Sequence, residues 1–352
     1  MLEWISDEAL VALVGLGGGI LLGLAARLGR FCTMGAIEDM LYGGSDLRMR
    51  MWILAIGVAI LGTFGLAAIG VLELETSYYL SIRWMPVAAV LGGLMFGYGM
   101  ALAGNCGFGS IARAGGGDFR AFVIVVIMGV SAYLVLSGPL ATLRVWAFPQ
   151  ADVVNDMPPG LAHLLHEWTG ISVSAIGLAI GAVVTIGALS SRSILASPQS
   201  IFWAAIVGIA VVSGWAGSYW VASNGFTPMP VVSHSFSAPV GETLLFAMTG
   251  SARAPSFAVG SVTGVAVGAF IGSLIKGHFR WEACEDPREL RRQIIGAALM
   301  GAGAVLALGC TIGQGLSAFS MLAFSAPLVF ASIIAGAALG LRQLIEGFQP
   351  AE

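Results

Sequence analysis

The sequence predicts an all-α integral membrane protein, with about nine transmembrane helices and four short re-entrant helices arranged as two inverted-topology repeats. Three observations predict this. Of 352 residues, 57% are hydrophobic and only 10% charged, at a mean hydropathy of +0.91, whereas a soluble domain carries roughly 25% charged residues. The apolar runs are continuous and close to the ~20 residues that cross a ~30 Å hydrocarbon core, without the alternation of barrel strands. Between them recur short, glycine-rich segments, three of which open as Cys-x-x-Gly.

Met1 to Ala9 carries Glu3, Asp7 and Glu8 where a secretory signal carries lysine or arginine, so the first apolar run is expected to remain in the membrane. The nine runs are 10–28, 51–71, 86–104, 121–140, 172–189, 201–222, 256–275, 293–309 and 326–345. With the N-terminus outside, all of the 16 basic residues except Arg83, Arg144 and Arg253 fall on the cytoplasmic side, as the positive-inside rule requires. The outer loops hold acids instead: Glu73, Glu75, Asp152, Asp156 and Glu167. One long polar interruption, about 141–170, contains Asn155, Pro158, Pro159, His163 and His166 and divides the chain into halves of about 10–140 and 172–345. The two halves form a single transport domain, 1–345, followed by a cytoplasmic tail, 346–352.

Four segments are too short to cross and too apolar for ordinary loops: Phe31–Tyr42, Cys106–Gly117, Phe236–Met248 and Cys310–Phe324. Irregular backbone at membrane depth is tolerated only inside protein or along a cavity, so each fits a re-entrant half-helix. Cys32 pairs with Gly35, Cys106 with Gly109 and Cys310 with Gly313. Cys32 and Cys106 lie 74 residues apart, and 73 residues before Cys310 stands Ser237, whose segment echoes that of Cys32. In the topology above the two pairs enter from opposite sides, so the halves are inverted. Inverted repeats with broken helices meeting near the midplane are the signature of a transporter or channel, and half-helix N-termini suit an anion there.

Other classes fit poorly. A net charge of −3 with one lysine, Lys276, leaves no basic surface for nucleic acid. The four cysteines match neither a disulfide framework nor a C-x-x-C metal or redox signature. The chain has no G-x-x-x-x-G-K-[ST] for an ATP-driven pump and no histidine inside a spanning run to ligate haem. Neither an enzyme activity nor a cofactor or metal site is expected.

A lone buried cysteine is ordinarily a small hydrophobe; three at repeat-related positions point to binding instead. Gly35, Gly109 and Gly313 then let backbone approach a substrate, while glycines inside the spans serve close helix packing. Asn105 and Gln314 flank two cysteines, as donors to a bound oxyanion or as braces of the half-helix. Glu38, Asp39 and Glu242 sit at membrane depth, as proton-coupling sites or as helix-terminal and interfacial pairs. Arg30 and Arg113 either draw an anion to the inner mouth or anchor the topology. His234 either lines an outer vestibule or hydrogen-bonds its loop. Cys284, in the polar loop Trp281–Arg292, reads as a plain surface thiol.

The runs Gly29-Arg-Phe-Cys-Thr-Met-Gly35, Gly104-Asn-Cys-Gly-Phe-Gly109, Ser237-Ala-Pro-Val-Gly-Glu-Thr243 and Gly309-Cys-Thr-Ile-Gly-Gln-Gly315 resemble those of the YeeE/YedE sulphur-transport family, in particular its thiosulfate transporters. The resemblance extends from about residue 10 to 345, and Gly-Cys-Thr-Ile-Gly-Gln-Gly is its most specific part. It implies a bacterial inner-membrane transporter that passes thiosulfate inward along Cys310, Cys106 and Cys32, with Ser237 at the repeat-equivalent position. It also implies a cytoplasmic TusA-like sulfur-carrier protein as partner, beside membrane lipid. Thiosulfate is a dianion with a soft terminal sulfur, and a thiol offers it a weak donor without a fixed charge. A transporter or channel for another sulfur- or selenium-containing species or small anion is the alternative.

Overall fold

A computed structural model describes residues 6–82, 85–149, 160–282 and 286–346. Arg83, the stretch 150–159 with Asp152, Asn155 and Asp156, Cys284 and the tail from 347 lie outside the described residues. Among those described there is no strand, only two isolated bridges, Ser77 with Val231 and Asp118 with Glu282.

The elements that position the site are, in chain order, α1 (Asp7–Leu28), α2 (Thr33–Leu41), α3 (Leu47–Ala68), α4 (Pro86–Ala103), α5 (Gly107–Gly115), α6 (Phe119–Leu136), α7 (Leu161–Thr169), α8 (Val173–Leu189), α9 (Pro198–Asn224), α10 (Ala238–Thr249), α11 (Phe257–Ile275), α12 (Pro287–Leu306), the π-helical segment π1 (Gly313–Ala318) and α13 (Ser325–Glu346). Each expected run coincides with one long helix. Hydroxyl and carboxylate caps start several of them: Ser6 accepts from Ala9, Asp118 from Ala121, Ser172 from Ala175 and Ser256 from Val259, satisfying amides that have no partner within the helix.

Among the described residues, seven stretches are long and apolar enough to cross a membrane, or eight if α7 and α8, bent by 118°, count as one. The nine expected spans exceed this because α8 has only 17 residues and α12 opens with the charged turn Pro287–Gln293. The short helices α2 and α5 follow α1 and α4 within single apolar stretches, Asp7–Leu41 and Pro86–Gly115. Both stretches are broken just before a cysteine.

Glycine packing sets the closest helix pair. On α1, Gly15, Gly19 and Gly23 face the backbone of α11; on α11, Gly260, Gly264 and Gly268 face that of α1. A Cβ at Gly19 would overlap the Ser261 carbonyl oxygen, too near for any side chain. Small residues every fourth position are what let helices approach this closely.

The packing has an internal correspondence. Exchanging α1, α2, α3, α4, α5 and α6 for α9, α10, α11, α12, π1 and α13 turns the pair α1–α11 into α9–α3, α4–α13 into α12–α6, and α6–α10 into α13–α2, all of which are in contact. The pairs α1–α9 and α4–α12 map onto themselves.

Candidate functional site

The cysteines stand where helices restart. Two residues before each, the backbone turns left-handed: Arg30 at φ 54°, Gly104 at 76° and Leu308 at 56°. Only one of the three is glycine, so Arg30 and Leu308 hold a conformation that disfavours side chains. This turn ends the preceding helix and sets the cysteine in extended backbone as the cap of the next, at φ −150° for Cys32 and −77° for Cys106.

In that position the thiol sulfur accepts a helix-start amide. Gly35 N–H donates to Cys32 Sγ over 3.5 Å and Gly109 N–H to Cys106 Sγ over 3.3 Å. The Cys-x-x-Gly spacing is therefore a capping geometry in which the glycine amide is the third of its helix. At Cys310 the Gly313 amide is joined by a donor from afar: Phe236 N–H lies 3.3 Å from Sγ, and Ser235 Oγ lies 3.8 Å away. A sulfur that already accepts leaves its S–H to donate elsewhere.

The fold brings the three thiols into one series. Cys32 Sγ donates to Asn105 Oδ1 at 3.8 Å, and Thr33 Oγ1 donates to Cys106 Sγ at 3.9 Å, so Cys32 and Cys106 lie side by side. Phe236 connects them to the third. Its amide is on Cys310, its carbonyl oxygen lies 3.8 Å from the Cβ position of Gly107, and its ring packs on Phe108 at 5.4 Å. Cys106 and Cys310 are fully buried, whereas Cys32 is partly exposed.

A cavity of about 520 Å³ reaches Gly309, the residue before Cys310. Tyr79, Ser235, Ser237 and Gly309 are among its lining residues. Ser237 precedes α10 as Cys32 precedes α2, but its buried hydroxyl has no protein partner. Thr311 is buried between two thiols: it follows Cys310 in the chain, and its side chain reaches Cys106. Buried hydroxyls are nearly always hydrogen-bonded, so that of Ser237 on the cavity wall marks a place for a polar visitor.

The glycines of the motif differ from the expectation of open backbone. A Cβ on Gly35 would overlap Arg48 Nη1. On Gly109 it would lie 3.1 Å from Asn105 Oδ1, and on Gly313 2.7 Å from both Tyr79 Oη and Ser235 Oγ. In each case the missing side chain makes room for a polar group next to the thiol.

The remaining candidates are distributed unevenly. Gln314 donates to the Ala307 and Leu308 carbonyls and accepts from Ser325, bracing the turn before Cys310. Asn105 braces the first two helix starts through Cys32. Asp39 pairs with Arg48 at 3.2 Å, Arg113 with Asp118 at 2.8 Å, and Glu242 accepts from Ser256 beside the cavity. Glu38 is exposed. His234 is buried away from the cavity lining; its Nδ1 meets Ser261 Oγ at 2.6 Å, and its carbonyl accepts from Ser317.

Sequence reasoning missed Thr33, Thr311, Ser235, Phe236, Tyr79 and Arg48. The Cys-Thr doublets 32–33 and 310–311 were the available signal for two of them. Nothing local marks Arg48 or Tyr79, which reach the site from other segments.

The family model described as "Sulphur transport" matches residues 28–339. The chain is 28% identical over 331 residues to the thiosulfate transporter TsuA of Escherichia coli (strain K12), covering 88% of each chain. It is 24% identical over 329 residues to the thiosulfate transporter TsuA of Spirochaeta thermophila, covering 92% of this chain and 96% of that one. A shorter match, 33% over 105 residues, is to the probable transporter YedE of Escherichia coli, covering 30% of this chain and 23% of that one.

Proposed function

From the premise that this chain belongs to the sulphur-transport (YeeE/YedE) family, we propose that it takes up thiosulfate across the bacterial inner membrane, passing it along Cys310, Cys106 and Cys32. The observation that carries this reading is the series of thiols, each accepting a backbone amide, with a cavity near its Cys310 end lined by the unpartnered hydroxyl of Ser237. The cavity is the outer vestibule in this reading, with the N-terminus outside and the C-terminus cytoplasmic. Residues of about 10–140 and 172–345 are the two inverted repeats in this reading; the exchange of packing pairs supports a correspondence of 7–136 with 198–346, outside which α8 falls.

Thiosulfate enters the vestibule and offers its soft sulfur to the thiols and its oxygens to neighbouring hydroxyl and amide donors. Helix-start amides offset part of its negative charge. Because thiols are weak donors without fixed charge, no single station holds the dianion tightly, which is the condition for conduction through successive sites. A TusA-like sulfur carrier receives the ion or its sulfur at the cytoplasmic mouth.

Uptake of labelled thiosulfate into proteoliposomes, with sulfate, sulfite and selenite as competitors, tests the reading. Saturable uptake that sulfate does not inhibit is expected. Equal competition by sulfate removes the soft-sulfur mechanism and favours a channel or transporter for small anions generally.

A further inference from the structure

Arg48 enters the site from α3, and no feature of the cysteine segments announces it. Its guanidinium occupies the space that a Gly35 side chain would fill, and that same point is 3.8 Å from Cys32 Cβ. Arg48 therefore stands beside the thiol that is partly exposed, at the opposite end of the series from the cavity. Its carboxylate partner, Asp39 on α2, is 3.2 Å away, and both side chains are about one-third exposed, 33% and 32%. Such half-exposed pairs are weak and exchange readily. Of the other cations near this end, Arg27 donates to Ser273, Lys276 caps the carbonyls of Arg27 and Leu28, and Arg113 pairs with Asp118, while Arg30, two residues before Cys32, is exposed.

A guanidinium is a planar fork matched to two oxygens of an oxyanion. Resting on the proposed function, we infer that Arg48 is the oxyanion-binding, specificity-determining group at the inner end of the path, exchanging Asp39 for the sulfonate oxygens of thiosulfate while Cys32 contacts its terminal sulfur. Gly35 is glycine because any side chain there displaces the guanidinium. Asp39 has the complementary role: it neutralises Arg48 between passages and competes the anion off, so that a fixed charge does not become a trap.

The experiment compares wild type with Arg48→Gln, Arg48→Lys, Gly35→Ala and Asp39→Asn in proteoliposomes with matched protein content. It reads labelled thiosulfate uptake, and protection of Cys32 by thiosulfate against alkylation, quantified at that peptide. Arg48→Gln is expected to lower uptake by about 10-fold or more, the value of a charge-assisted hydrogen bond, and to abolish protection. Arg48→Lys restores part of both, Gly35→Ala resembles Arg48→Gln and adds nothing to it, and Asp39→Asn gives protection at lower thiosulfate concentration. Undiminished uptake and protection in Arg48→Gln overturns the inference. So does lost uptake with protection unchanged, the pattern of a merely structural arginine. Absent wild-type uptake with Arg48-dependent protection intact refutes the transport reading and leaves the anion site standing.

Discussion

The amide of Phe236 donates to the thiol sulfur of Cys310 over 3.3 Å, joining residues 74 positions apart. Cys310 is thereby held by the segment that leads into α10, next to Ser235 and Ser237 on the cavity wall. The helix start that carries no cysteine of its own thus supplies a second donor for one that does.

Removal of single thiols follows from this series. Cys32→Ala, Cys106→Ala and Cys310→Ala are each expected to reduce thiosulfate uptake to below about one-tenth, since a lost partner leaves a buried polar station unsatisfied. The largest loss is expected at Cys106. Serine retains a donor but not a soft sulfur, so the serine variants fall between. Full uptake by correctly inserted Cys106→Ala protein rejects the relay.

The 3.8 Å separation between Ser235 Oγ and Cys310 Sγ places a second sulfur within disulfide reach. Ser235→Cys is expected to cross-link to Cys310 under mild oxidant, with the loss of two hydrogens seen by mass spectrometry. Uptake should stop and return with dithiothreitol. A cross-linked protein that transports at the normal rate shows that the route avoids this thiol.

Two glycines in one turn of α1 separate packing from propensity. Nothing lies within 4 Å of a Cβ at Gly17, whereas Gly19 faces the backbone of α11. Gly17→Ala should be neutral or stabilising by up to about 1 kcal/mol, while Gly19→Leu should cost at least ~1–3 kcal/mol by overpacking. Thermal denaturation in detergent measures both. Equal effects contradict the backbone contact.

Burial holds the His163 imidazole below its ordinary 6.5, with the Glu75 carboxylate partly opposing. A depressed folded value means that the neutral ring is preferred in the fold. Its stabilising contribution is present above about pH 6.5 and is lost as pH falls through the lower folded value. Hydrogen exchange over 161–169, corrected for intrinsic rates, should be faster at pH 5 than at pH 7.5. His163→Gln should remove the difference, and pH-independent protection in wild type counts against it.

Hydropathy alone located every long helix, because a helix in lipid satisfies its own backbone and needs only a run of apolar residues to announce itself. The helix starts at Cys32, Cys106 and Cys310 were legible for a similar reason, whereas Ser237 makes no capping bond and showed only through its echo of the Cys32 segment. Capping is local, and a cysteine with an amide donor three positions on leaves a spacing in the chain. Crossing contacts leave none. The adjacency of Cys32 and Cys106, the amide of Phe236 on Cys310, and the guanidinium of Arg48 over Gly35 depend on how close glycine-lined helices come and where their side chains then meet. The sequence determined which residues sit at helix starts; only the tertiary structure decided which of those starts share a surface, because that follows from packing between segments tens to hundreds of residues apart.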